Sequence, residues 1–191
     1  MPRGPVAVGP LRPCPTGRAV FLDRDGVLIA NRADHVRDFP DVEVLPRARA
    51  AVRRITSAGY AAVVVTNQAV VGRDGAPLDH IVAVHRHALR LLGAAVSASY
   101  LCPHSPADGC PCRKPRPGML LRAARDLGLD LGRSYTVGDA LTDVDAGRSA
   151  GTATALVLTG RGADQYRRAD PADLAGTAVL ADVGVLADLL P

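Results

Sequence analysis

The sequence predicts an α/β fold, a doubly wound parallel sheet with helices on both faces. Three observations predict it. From Arg18 onward, short apolar runs alternate with segments of helical periodicity. Polar residues gather directly after those runs, at Asp23, Thr66 and Asp139, and in such sheets ligands bind at the carboxyl ends of the strands. The apolar material is Ala, Val and Leu, with no Trp, two Phe and four Tyr, which suits helices packed on a buried parallel sheet.

The elements follow in order. Residues 1–17 are rich in Pro, Gly and Arg and show no periodicity, so a flexible arm is expected there. Residues 19–22 form a buried strand that stops at Asp23. An irregular loop spans 29–45. Pro46 opens a helix with Ala48, Ala51, Val52 and Ile55 at helical spacing, and Gly59 closes it. Residues 60–65 form a second strand ending at Thr66-Asn67-Gln68. Pro77 starts a helix with Leu78, Ile81, Val82, Ala88, Leu89 and Leu92 on one face; His80, His85 and His87 are assigned to its surface. Gly93 ends it. A strand at 97–101, a helix at 119–127, a strand at 135–137 ending at Gly138-Asp139 and a strand at 153–158 come next. A strand at 177–180 and a helix at 183–190 complete the pattern, with right-handed crossovers. Residues 18–191 thus form one domain.

Composition narrows the class. A chain of 191 residues, 48% apolar and 22% charged, has the material for one proper core. No apolar run approaches the ~20 residues of a membrane helix, and the start lacks the apolar stretch of a signal peptide. A cytoplasmic enzyme, monomeric, is expected. The net charge is +4, and 22 of the 23 basic residues are Arg. The single Lys is Lys114. Four Cys are too few for a disulfide scaffold.

The acids carry the chemistry. Asp23-Arg24-Asp25-Gly26 follows the first strand, and Gly26 permits the turn that aims both carboxylates into the crevice. Gly138-Asp139, with Asp143 and Asp145 beyond, brings more acid from another strand. Such acids repel, so a cation must hold them, and oxygen ligands in an open, hydrated site suit Mg²⁺. Lys114 adds an ammonium and Thr66 a hydroxyl. A nucleophile, a metal, an ammonium and a hydroxyl together fit a phosphoryl group.

These segments resemble the four motifs of the haloacid dehalogenase superfamily: Asp23-Arg24-Asp25-Gly26, Val65-Thr66-Asn67-Gln68, Arg113-Lys114-Pro115 and Val137-Gly138-Asp139 with Asp143. The resemblance implies a Rossmann-like fold and gives each residue a role. Asp23 would form an aspartyl-phosphate, and Asp25 would act as general acid and then base. Mg²⁺ would sit on the Asp23 carboxylate, the Asp25 carbonyl and the Asp139 carboxylate. Thr66 and Lys114 would bind the phosphoryl group, and Asp143 would orient Lys114 or a metal-bound water.

Cys102-Pro103-His104 and Cys110-Pro111-Cys112 offer three thiolates and one imidazole within eleven residues. That is a closed tetrahedral set of the kind structural Zn²⁺ prefers. Cys14 stands apart as a bystander. Cys112 runs straight into Arg113-Lys114, so fixing its sulfur fixes the exit of the chain that delivers both cations. A zinc loop directly before Arg-Lys-Pro resembles the D-glycero-D-manno-heptose-1,7-bisphosphate 7-phosphatase family; histidinol-phosphate phosphatases share the loop and remain the alternative. The resemblance implies a small phosphorylated sugar as substrate, with Asn67 and Arg113 touching it beyond the reacting phosphate.

The segments 26–60 and 67–113 leave no room for a cap domain, which needs ~50 residues. Loops alone shape the crevice, and Asn31, Arg32, His35 and Arg73 on them are candidate contacts. An Arg-rich zinc module binding nucleic acid is the distant alternative. It needs aromatics interleaved with the basic residues, and only Tyr100 lies near the cysteines. No nucleic-acid partner is expected.

Overall fold

The computed structural model describes residues 4–93 and 95–190. Its centre is a seven-stranded sheet: β1 (Val6–Ala7), β2 (Ala19–Leu22), β3 (Ala61–Asn67), β4 (Val96–Cys102), β5 (Tyr135–Gly138), β6 (Ala153–Val157) and β7 (Thr177–Leu180). The strand order is β1-β4-β3-β2-β5-β6-β7. Every pairing from β4 to β7 is parallel. The chain winds outward one way from β2 and then returns to β5 to wind the other way. The switch point lies between β2 and β5.

Side chains alternate across each strand and so build two cores. Val20, Leu22, Ala62 and Val64 face α1 (Ala48–Ser57) and α7 (Val183–Leu189). Ala19, Phe21, Ala61, Val63 and Val65 face α4 (Gly118–Leu127) and Ala146 of α5 (Leu141–Ala150). With both faces covered, the central strands β2 and β3 are near-continuous apolar runs, which makes them legible in the sequence. The remaining helices are α2 (Val70–Asp74), α3 (Leu78–Leu92) and α6 (Gly162–Arg168). Among the described residues no helix is long and apolar enough to cross a membrane.

Four expectations need correction. The N-terminal arm is not free. Val6 and Ala7 pair antiparallel with Leu101 and Tyr100, Val8 is buried, and the Val8 N–H donates to Ser99 O at 2.9 Å. The unpaired edge of β4 offers those groups. Residues 1–3 of the expected arm lie outside the described residues. α5 is not expected from the sequence, because its buried face carries Asp143 and Gly147 beside Val144 and Ala146 and breaks the apolar pattern. Arg73, expected on a loop, lies instead on the short α2. His85 is fully buried, not on the surface.

Candidate active site

The carboxyl edge of the sheet gathers the predicted residues. The Asp23 N–H donates to Val137 O of β5 at 2.9 Å, which places the Asp23 side chain at the switch point. The chain then turns at Gly26, where φ is +87° and a Cβ would lie 2.1 Å from Asp139 Oδ2. Only glycine lets Asp139 approach this turn. At Gly138 a Cβ would strike Asp143 at the same 2.1 Å, so the end of β5 is cut back to admit that carboxylate.

Lys114 is the hub of the site, at 3% exposure. Its Nζ donates to Val65 O at 2.9 Å and lies 2.9 Å from Asp23 Oδ1 and 2.6 Å from Asp143 Oδ1. An ammonium has three donors, and three acceptors surround this one. Burial opposes its charge, but Asp143 and Asp23 hold Lys114 above the usual lysine range. Burial pushes Asp23 up to about 6, against Lys114 and with the help of Asp143 and Asp25. Burial and then Asp23 push Asp139 up to about 6. Burial also raises Asp143, with Lys114 opposing.

Asp25 differs. Burial acts against its charge, yet Arg24 and Gln68 hold it below the usual carboxylate range. Arg24 Nε and Nη2 bind its two oxygens at 2.8 and 3.0 Å. Gln68 Nε2 lies 3.0 Å from Asp25 Oδ2 and 2.9 Å from Thr66 Oγ1, tying the second carboxylate to the buried hydroxyl.

The donor set fits a divalent cation. One carboxylate oxygen each from Asp23, Asp139 and Asp143 lie within 4.8 Å of one another. Asp139 Oδ1 is buried with no hydrogen-bond partner, the Arg161 guanidinium standing 3.6 Å away, while Oδ2 accepts from the Arg161 N–H at 2.8 Å. A buried carboxylate oxygen that faces other acids and lacks a hydrogen bond is costly unless a cation sits closer than that guanidinium.

Behind Lys114, the Cys102, His104, Cys110 and Cys112 side chains are all buried. The three sulfurs lie 3.4 to 3.6 Å apart, and His104 Nδ1 is 3.5 and 3.4 Å from Cys102 and Cys112 Sγ. Zn–S bonds of ~2.3 Å set tetrahedral edges of ~3.8 Å, so the cluster fits zinc after slight expansion. Contact with Cys112 pulls Cys102 down to about 5, and the same contact pushes Cys112 up. The four described cysteines form no disulfide, and Cys14 is not in the cluster.

A crevice of about 510 Å³ opens over Asp23, Asp25, Thr66 and Lys114, and Asn31, Arg32, His35, Asn67 and Arg113 also line it. Arg73 is not among its lining residues and pairs with Asp74 at the surface. Asp145 is exposed on α5, away from the other acids. Asn67 spends both ends of its amide on the Lys114 backbone. Arg24, Gln68 and Arg161 belong to the site, although the sequence assigns them no role. Arg161 lines the crevice from the loop after β6, so extending the strand-end rule to that strand would have found it.

Residues 111–186 match the family model described as HAD-hydrolase-like. The D-glycero-β-D-manno-heptose-1,7-bisphosphate 7-phosphatase of Pseudomonas aeruginosa is 33% identical, over 90% of this chain and 96% of its own. The chain belongs to this phosphatase family. The Bordetella bronchiseptica relative of the same name is 37% identical, over 91% and 97%. The crystal structure of the D,D-heptose 1,7-bisphosphate phosphatase from B. bronchiseptica, complexed with magnesium and phosphate, superposes with a TM-score of 0.83. That match has 36% identity and covers 91% of this chain and 97% of the other. Membership makes the chain a phosphomonoester hydrolase of the haloacid dehalogenase superfamily, and the described residues carry no cap domain.

Proposed function

We propose that the chain removes the C7 phosphate of D-glycero-D-manno-heptose 1,7-bisphosphate, with Mg²⁺ on Asp23, Asp139 and the Asp25 carbonyl and structural Zn²⁺ on the cysteine cluster. One observation carries the reading: a single buried ammonium, Lys114, binds the candidate nucleophile and its acidic neighbour at the switch point. The family supplies the substrate class, and the B. bronchiseptica structure holds magnesium and phosphate.

Asp23 attacks phosphorus, and the P–O bond to C7 breaks. Asp25 gives its proton to the departing alkoxide, then takes one from the water that attacks the aspartyl-phosphate. Asp23 and inorganic phosphate are released. Asp25 rests ionised; a dianionic ester arriving beside it favours its protonated form. Lys114 and Thr66 hold the transferring oxygens. Asp143 holds Lys114. The magnesium ion, when bound, offsets the repulsion between an anionic nucleophile and an anionic ester. Arg113, whose Nη1 donates to His104 O at 3.3 Å, meets the remote C1 phosphate from the rim, since a guanidinium suits a phosphate. The crevice residues that bind and react all come from one chain, as a monomeric enzyme requires. Buried cysteines kept as metal ligands and not as disulfides suit a reducing compartment such as the cytoplasm.

Phosphate release measured from heptose bisphosphate and from histidinol phosphate under Mg²⁺ tests the assignment. The bisphosphate should turn over faster; a clear preference for histidinol phosphate contradicts the choice of sugar.

A further inference from the structure

Arg24 lies between the two catalytic acids in sequence, yet its side chain turns away from the crevice and is fully buried. Nε and Nη2 grip Asp25 at 2.8 and 3.0 Å. The third arm, Nη1, lies 3.4 Å from His85 Nδ1. His85, on α3, is also fully buried, and its Nε2 lies 2.5 Å from Ser99 Oγ on β4.

The direction of this chain is fixed. A guanidinium only donates, so His85 Nδ1 must accept and Nε2 must carry the proton toward Ser99. Burial and the Arg24 charge pull His85 down to about 3, so the imidazole is neutral and able to accept. An apolar side chain in place of His85 would avoid burying polar atoms. The polar chain instead ends, through one guanidinium, on the carboxylate that must transfer a proton.

We propose that His85 is a positioning residue: by seating Arg24 from behind, it holds the Asp25 carboxylate in the orientation needed to meet the leaving oxygen. This rests on the acid and base role given to Asp25 above. Without the Nδ1 acceptor, Arg24 loses its third anchor, and Asp25 keeps a partner whose own position is loose. Misplacement by about 1 Å suffices to slow proton transfer.

The test compares His85→Leu, His85→Asn and His85→Gln on two esters. Asn places an acceptor where Nδ1 was and can still serve Arg24. Gln places its amide where Nε2 was and serves only Ser99. An alkyl ester, the heptose bisphosphate, needs a proton on its leaving oxygen; p-nitrophenyl phosphate does not. Asp25→Asn sets the reference pattern: a large fall in kcat/KM on the alkyl ester and a small one on the aryl ester.

His85→Leu and His85→Gln should lower kcat/KM about tenfold on the alkyl ester and less than about twofold on the aryl ester, a fraction of the effect of a general acid. KM should hold, and His85→Asn should stay within about threefold of the parent on both. Equal losses on both esters, no loss in His85→Gln, or no rescue in His85→Asn overturns the proposal. If His85→Leu does not fold, the Asn and Gln pair still decides. If Asp25→Asn shows no difference between the esters, the role of Asp25 falls, and the positioning role with it.

Discussion

Asn67 holds the backbone of Lys114 from both sides: the Lys114 N–H donates to Asn67 Oδ1, and Asn67 Nδ2 donates to the Lys114 carbonyl, each at 3.1 Å. The end of β3 and the exit of the cysteine loop are thereby tied together, and the ammonium is delivered at a set distance from Asp23. Asn67→Ala should therefore lower kcat by roughly tenfold, as a small misplacement of a catalytic group does, with a smaller change in KM. Steady-state kinetics on the bisphosphate separate this from direct substrate binding, which would raise KM first.

Lys114 leaves no space for a larger cation. Lys114→Arg keeps the charge but brings a planar fork to a point where three acceptors converge on one nitrogen. The variant should fold and lose at least about 100-fold in kcat, the scale of losing one oriented charge at a transition state. Lys114→Met should lose stability as well, by roughly 3–5 kcal/mol, because two buried carboxylates lose their partner. Urea melts beside the kinetics check both.

Zinc removal should act through the fold. The cluster lies behind Arg113 and Lys114, and Cys112 is two residues from the ammonium. A strong chelator, or Cys112→Ser, should lower the melting temperature and abolish turnover. Zn²⁺ should restore the chelated protein, and Mg²⁺ alone should not. Metal analysis by mass spectrometry of the purified protein should find about one zinc per chain.

Magnesium should change how stability depends on pH. Asp23 and Asp139 both move from the ordinary carboxylate range up to about 6 in the fold. A raised carboxylate binds more protons folded than unfolded, so metal-free protein loses stability as pH rises from about 4 through about 6. Mg²⁺ binds the ionised form and offsets that loss. Thermal melts should show a larger Mg²⁺ shift at pH 7.5 than at pH 5; an equal shift would contradict the metal assignment.

Much of this site was legible because it is local. Asp23, Thr66 and Asp139 each end an apolar strand, and Cys112 adjoins Arg113 and Lys114, so neighbouring residues declare the chemistry. The hidden part is held by distant partners. Arg24 and His85 are 61 positions apart and look like surface residues until the sheet brings them together. α5 escaped for a related reason: Asp143 on its buried side is satisfied by Lys114, so its inner face is not apolar. β1 is two residues long, and only the open edge of β4 makes it a strand.

Everything proposed for the site rests on Asp23 attacking the C7 phosphorus of the heptose bisphosphate. Phosphorus NMR of the reaction with purified protein and Mg²⁺ tests it most directly. The C7 signal should vanish, the C1 phosphate should persist, inorganic phosphate should appear in equal amount, and Asp23→Asn should leave the spectrum unchanged. Loss of the C1 phosphate, or turnover by Asp23→Asn, would contradict it.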